Sequence, residues 1–320
     1  MARALALHAR GHRFDSDILH KGLAYSESFL FILAPHMLSQ FTIHNTHLKV
    51  AINRKGAELC SVKDTTGYEY MWQAEPVWPR HAPNLFPIVG SLLDHEYLYE
   101  GKKYNLSHHG FARDSDFEML HQSEHSICLI LQQSEVSLAS YPFKFTLLIT
   151  YTLSDNSLKQ TFRVINDDSK DVPVSFGGHP AFNAKPADEY EIVFSETENT
   201  LSNQLSGPYI NDVAIEVIEG NTISLTGNTF DNDALIFQGL KSKTVSLKHT
   251  KSNHEVKVDI SEFPYLGVWA KPGADYVCIE PWQGLADYAS HSKNIEDKKG
   301  IIWVKVKEEV ANSFSMTFTK

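Results

Sequence analysis

Two residues have the chemistry of a proton-transfer pair. Glu280 follows the apolar run Tyr276-Val277-Cys278-Ile279 and precedes Pro281-Trp282. A carboxyl at the end of a buried strand loses solvent, which raises its pKa toward neutrality and suits it to act as a general base. A strand-end glutamate that pairs with an arginine or caps a loop would have the same local sequence. His179 lies in "GGHPAF", where glycines permit close approach of backbone or ligand and Pro180 stiffens the turn. An imidazole held there is either an acid near neutral pH or a core histidine satisfied by a carbonyl. A third stretch, "LSHHGFARDSDF" at 106 to 117, adds His108, His109 and Arg113, and "PVWPRHAPNLFPIVGSL" adds Arg80. Both arginines lie beside aromatics and suit contacts to hydroxyls, carboxylates or phosphates, although Arg113 has Asp114 and Asp116 within reach for a plain salt bridge. Asp233 ends a polar turn and opens an apolar strand, so it either caps the turn or faces a site.

Other chemistries lack their motifs. The chain has 16 histidines, but "HHG" lacks the i, i+4 spacing of helical zinc ligands, and no HExxH or Cys/His cluster accompanies it. Nucleotide loops of the GxGxxG or GxxxxGK[ST] type and the GxSxG of serine hydrolases are also missing. The reading therefore calls for no metal and no cofactor. With 29 Lys and Arg against 39 Asp and Glu, the formal charge of −10 repels polyanions, which excludes nucleic acid as the expected partner. Cys60, Cys128 and Cys278 stand far apart in apolar stretches and read as buried thiols in a reducing, cytoplasmic setting. The longest apolar run, "FLFILAP" at 29 to 35, falls short of the ~18 residues of a membrane span, so no membrane partner is expected. Residues 1 to 36 lack an uninterrupted signal-peptide core and are expected to be an extension outside a single domain over 37 to 320.

The elements that must position these groups repeat with period two. "HLKVAI" and "AELCSV" alternate on either side of Lys55-Gly56, and two long β-branched runs flank Ser154-Asp155-Asn156-Ser157. "TKSN" and Pro272-Gly273 join two further alternating pairs, and "SFSMTFT" closes the chain. Only short helices fit, for instance over 284 to 290. The expected fold is all-β, a large antiparallel sandwich. Trp78, Phe111, Trp269 and Trp282 either stack on a sugar face or fill the core. A glycoside-cleaving site would need a second carboxylate, for which Asp233 is the candidate.

Five blocks occur in one order: "LFPIVGSL" at 85 to 92, "HGFARD" at 109 to 114, "FGGHPAFN" at 176 to 183, "DALIF" at 233 to 237 and "CIEPWQG" at 278 to 284. Together they resemble the aldose 1-epimerase (galactose mutarotase-like) superfamily and, within it, LacX-like proteins. The resemblance spans roughly residues 41 to 318. It implies a β-supersandwich fold and an isomerase that interconverts the α and β anomers of an aldose without a cofactor. It also implies Glu280 as base at the C1 hydroxyl and His179 as acid at the ring oxygen. His109 would hydrogen-bond the sugar, Arg80 and Asp233 would hold its hydroxyls, and Arg80 with Arg113 would hold the phosphate of a hexose 6-phosphate, as in a related branch. The block "GGHPAFN" stands where galactose mutarotases proper have an "NHTYFNL"-like stretch, and "HGF" where they have "HGG". These departures leave the sugar, and whether it is phosphorylated, unassigned. Also open are a noncatalytic sugar-binding role and the choice between monomer and homodimer. His108 is expected to point away from the cleft if its segment is extended.

Overall fold

The computed structural model describes residues 38–320, so the expectations for residues 1 to 36 and for Met37 lie outside the described residues. Antiparallel strands dominate. One sheet has nine strands in the order Thr222–Ser224, Tyr190–Phe194, Thr244–His249, Glu255–Asp259, Glu309–Thr319, Ser157–Asn166, Phe145–Ser154, Ser126–Gln132 and Glu118–Gln122. The long pair at its centre is the one the sequence announces: Ser154 pairs with Ser157 across Asp155-Asn156, and the ladder runs on to Phe145 and Asn166. Leu158, Gln160, Phe162, Val164 and Asn166 point inward while Lys159 and Arg163 are exposed, as alternation requires.

A second sheet, of eight strands, has Tyr276–Trp282 near its centre. Tyr265–Trp269 pairs with it across the Pro272-Gly273 turn, and Ala181–Asn183 and Gly177–Gly178 pair on its other side. The two sheets share a core: Phe194 of the first meets Phe237 of the second edge-on at 5.7 Å between ring centroids. All seven residues of Tyr276–Trp282 are buried. Such a strand is covered on both faces, by the core on one and by the walls of a cleft on the other.

Three expectations need correction. Residues 284 to 290 form no helix. Asp287 instead donates its backbone N–H to the Ser91 carbonyl, and its carboxylate accepts from the Leu93 N–H and from Lys298 Nζ, so the segment is drawn out along its neighbours. Cys128 is only half-buried, on the outward face of Ser126–Gln132, whereas Cys60 and Cys278 are buried. His108 and His109 do not alternate across an extended segment. His109 and Gly110 have φ of 63° and 72°, so the chain turns there and both rings face the same cleft, 3.8 Å apart at their centroids. The α-helical content among the described residues is Glu135–Ser140, capped by Ser134. No helix among them is long and apolar enough to cross a membrane.

Candidate active site

Strand register brings His179 to Glu280. Gly177 pairs with Trp282 and Ala181 with Cys278, so the residue midway, His179, lies directly opposite Glu280. Opposed residues on one face of an antiparallel pair have Cβ atoms about 4.5–5.5 Å apart, close enough for side chains to touch. His179 Nε2 is 3.1 Å from Glu280 Oε2. Gly177 permits the approach: a Cβ there would stand 2.7 Å from the Pro281 carbonyl oxygen and 2.8 Å from Trp282 Cδ1. On the other flank of Glu280 its partner is Gly267. The bare backbone there leaves room for the Trp282 ring, which a Cβ would meet at 2.5 Å.

Both groups are out of water, with the Glu280 side chain 1% exposed and that of His179 11%. Burial pushes the Glu280 carboxyl well above its ordinary range; the Asp233 charge adds to this and the nearby Trp282 indole opposes it. Burial likewise pushes the His179 imidazole down, reinforced by His108, Arg113 and Arg80. Both shifts favour the uncharged forms, a carboxyl beside a neutral imidazole. Among the described residues His179 Nδ1 and Trp282 Nε1 are buried with no hydrogen-bond partner, and Glu280 Oε2 has none beyond its 3.1 Å contact with His179 Nε2. Unsatisfied polar atoms clustered at the floor of a cleft are what a polar ligand would satisfy.

The cleft has a volume of about 560 Å³ and is lined by Glu280, His179, His109, Arg80, Arg113 and Asp233, so all six residues singled out from the sequence meet there. His109 is fixed by a reciprocal pair of bonds: its N–H donates to the Gly90 carbonyl, and its Nδ1 accepts from the Gly90 N–H at 3.0 Å. The neutral ring then carries its proton on Nε2. Burial, with the neighbouring cationic groups, keeps the ring neutral by holding its pKa well below the usual value. Gly110 is needed behind it, since a Cβ there would lie 2.2 Å from the Phe86 carbonyl oxygen. Asp233, with φ of 72°, caps its own turn through the Ala234 N–H and also lies on the cleft wall, so its two readings coexist. Arg80 and Arg113 both reach Asp114, at 3.0 and 3.6 Å. Trp78 stacks on His179 with centroids 5.1 Å apart and an interplanar angle of 24°, and Trp269 and Trp282 complete an aromatic wall. Phe111 instead packs on Phe86, Tyr141 and Phe145 of the core.

Comparison with known proteins identifies the family. The aldose 1-epimerase family model matches residues 39–303. The chain belongs to the aldose 1-epimerase family. Protein LacX, plasmid, of Lactococcus lactis subsp. lactis is 30% identical over 293 residues, covering 86% of this chain and 98% of that protein. The crystal structure of a galactose mutarotase related enzyme from Lactobacillus acidophilus is similar with 36% identity and a TM-score of 0.84, covering 88% of this chain and 97% of the other. A galactose mutarotase-like protein from Lactobacillus casei follows at 32% and 0.82, covering 88% and 100%.

For this aldose 1-epimerase family member, sequence reasoning missed the opposite cleft wall of Gly90, Ser91 and Ala286, and it gave His108 no place although Ser91 Oγ bonds its Nδ1 at 2.7 Å. The "VGSL" and "GLADY" stretches held the signal, because Asp287 ties the one to the other. Cys278 is the buried thiol expected from the sequence. Its i, i+2 spacing from Glu280 on a strand puts it on the same face.

Proposed function

We propose that the cleft catalyses anomerisation of a neutral aldose, with Glu280 and His179 as the proton-transferring pair. The observation that carries this reading is the 3.1 Å contact between two buried, oppositely perturbed groups at the floor of a sugar-sized cleft. Moving the carboxyl proton to Nε2 gives a carboxylate and an imidazolium with no change in net charge. Glu280 then accepts the proton of the C1 hydroxyl while His179 delivers its proton to the ring oxygen. The C1–O5 bond breaks, rotation about C1–C2 presents the other carbonyl face, and closure returns both protons. Each proton transfer is worth about 10²–10⁴ in rate, which suffices for a reaction that already proceeds in water. His109 Nε2–H and the free Trp282 indole N–H are donors for sugar oxygens, and the aromatic wall suits the apolar face of a pyranose.

The arginines favour a neutral sugar over its phosphate, because Asp114 engages both. Polarimetry of freshly dissolved α-glucose, α-galactose and their 6-phosphates tests the proposal. Acceleration of a neutral sugar is expected. Calorimetric binding of these sugars without acceleration of any would instead establish a carrier or sensor, and would overturn the enzymatic reading.

A further inference from the structure

Behind the cleft-lining pair His179 and Glu280 lies a buried thiol, Cys278. Cys278 and Glu280 leave the same face of strand Tyr276–Trp282, and the residues opposite Cys278 are Ala181 on one side and Trp269 on the other. A Cys278 sulfur, a His179 ring nitrogen and a Glu280 carboxylate oxygen all lie within 4.8 Å of one another. In a tetrahedral zinc site with bonds of ~2.0–2.3 Å, ligand atoms stand roughly 3.3–3.8 Å apart. The His179–Glu280 separation of 3.1 Å is already close to that spacing, and the other pairs need to close by at most about 1 Å, within the reach of side-chain rotation. Glu280 Oε2 is buried among these atoms and makes no aligned hydrogen bond; its near neighbour is His179 Nε2 at 3.1 Å.

We propose that Cys278, His179 and Glu280 form a site for a thiophilic divalent cation, Zn²⁺ by its chemistry. The three protein ligands leave a fourth position for water, which would enter from the side of His179 and Glu280, the two ligands that line the cleft. Binding releases the thiol proton and the carboxyl proton to solvent, with no change of oxidation state. A thiolate and a carboxylate then balance the two charges of the ion while His179 stays neutral. The assembled site therefore carries no net charge into a buried place, which offsets the cost of dehydrating the ion. On the mutarotase reading of the cleft, the ion captures both proton-transferring groups, so it inhibits rather than assists.

The test reads binding directly and does not depend on sugar turnover. Full-length protein, freed of metal with a chelator, is titrated with Co²⁺ as a coloured substitute and then with Zn²⁺. One equivalent of Co²⁺ is expected to give a thiolate-to-metal charge-transfer band that Zn²⁺ abolishes. The band is expected to persist in the Cys60→Ser/Cys128→Ser double variant, which leaves Cys278 as the sole thiol. His179→Gln is expected to weaken binding by well over about 10-fold, more than loss of a supporting outer group would cost. No band in the double variant, or unchanged affinity in His179→Gln, would overturn the site whatever the outcome with sugars.

Discussion

Replacing Gly177 with alanine perturbs the register on which the site depends without touching either proton-transferring side chain. The added Cβ would lie 2.7 Å from the Pro281 carbonyl oxygen and 3.1 Å from Trp282 Cα, both backbone atoms of the strand that carries Glu280. Backbone cannot rotate aside as a side-chain tip can. Restoring an ordinary contact of ~3.4 Å therefore requires the two strands to part by on the order of 0.7 Å beside the His179–Glu280 pair. Overpacking of this kind costs about 1–3 kcal/mol of stability. Misplacement of reacting groups by about 1 Å costs on the order of 10²-fold in rate, so this smaller shift is expected to lower kcat/KM by about 10- to 100-fold. Urea melts and polarimetric rates on the same preparation separate the two effects. A variant that is destabilised as expected yet turns over sugar at the wild-type rate would refute the claim that strand spacing at Gly177 sets the geometry of the pair.

Two other positions give independent checks. Asp287 and Lys298 form a buried pair, 2.7 Å apart with side chains 0% and 1% exposed, that straps residues 285–298 against the cleft wall. Asp287→Asn strands a buried ammonium and is expected to cost about 3–5 kcal/mol in a urea melt, while a loss below about 1 kcal/mol would show that water reaches Lys298. Asp114→Asn removes the carboxylate that Arg80 and Arg113 share. At about 1 kcal/mol for a partly exposed charge contact, it is expected to raise kcat/KM for an aldose 6-phosphate about five-fold relative to the neutral sugar. No change in that ratio would show that the arginines do not face the substrate.

The elements were legible wherever the signal is local. Asp155-Asn156 and Pro272-Gly273 sit between strongly alternating runs, and turn chemistry plus period two suffices to pair such strands. Glu280 and His179 could also be singled out, since each adjoins Pro and aromatics, although Glu280 lies within strand Tyr276–Trp282 rather than at the end that the sequence suggested. Their meeting was not legible: it depends on pairing residues about a hundred positions apart, and nothing in either segment specifies its partner. The turn at His109-Gly110 escaped because two adjacent positive φ values at His and Gly have no signature distinct from an extended "SHHG". The missing helix at 284 to 290 has a similar cause. Leu285, Ala286 and Ala289 have the composition of a short helix, but the hydrogen bonds of Asp287 to Ser91, Leu93 and Lys298 outweigh that weak propensity. Conversely, the family blocks carried more than their individual motifs, because they come from the segments that line the cleft.

The central claim is that a buried carboxyl and imidazole exchange protons with an anomeric centre. The most direct measurement is the rate at which optical rotation relaxes in freshly dissolved α-galactose and α-glucose with wild type and with Glu280→Gln, both verified as folded. The account predicts acceleration by wild type and a loss of about 10²–10⁴-fold in the variant, which keeps the shape of the side chain but cannot exchange a proton. Undiminished acceleration by Glu280→Gln would contradict it.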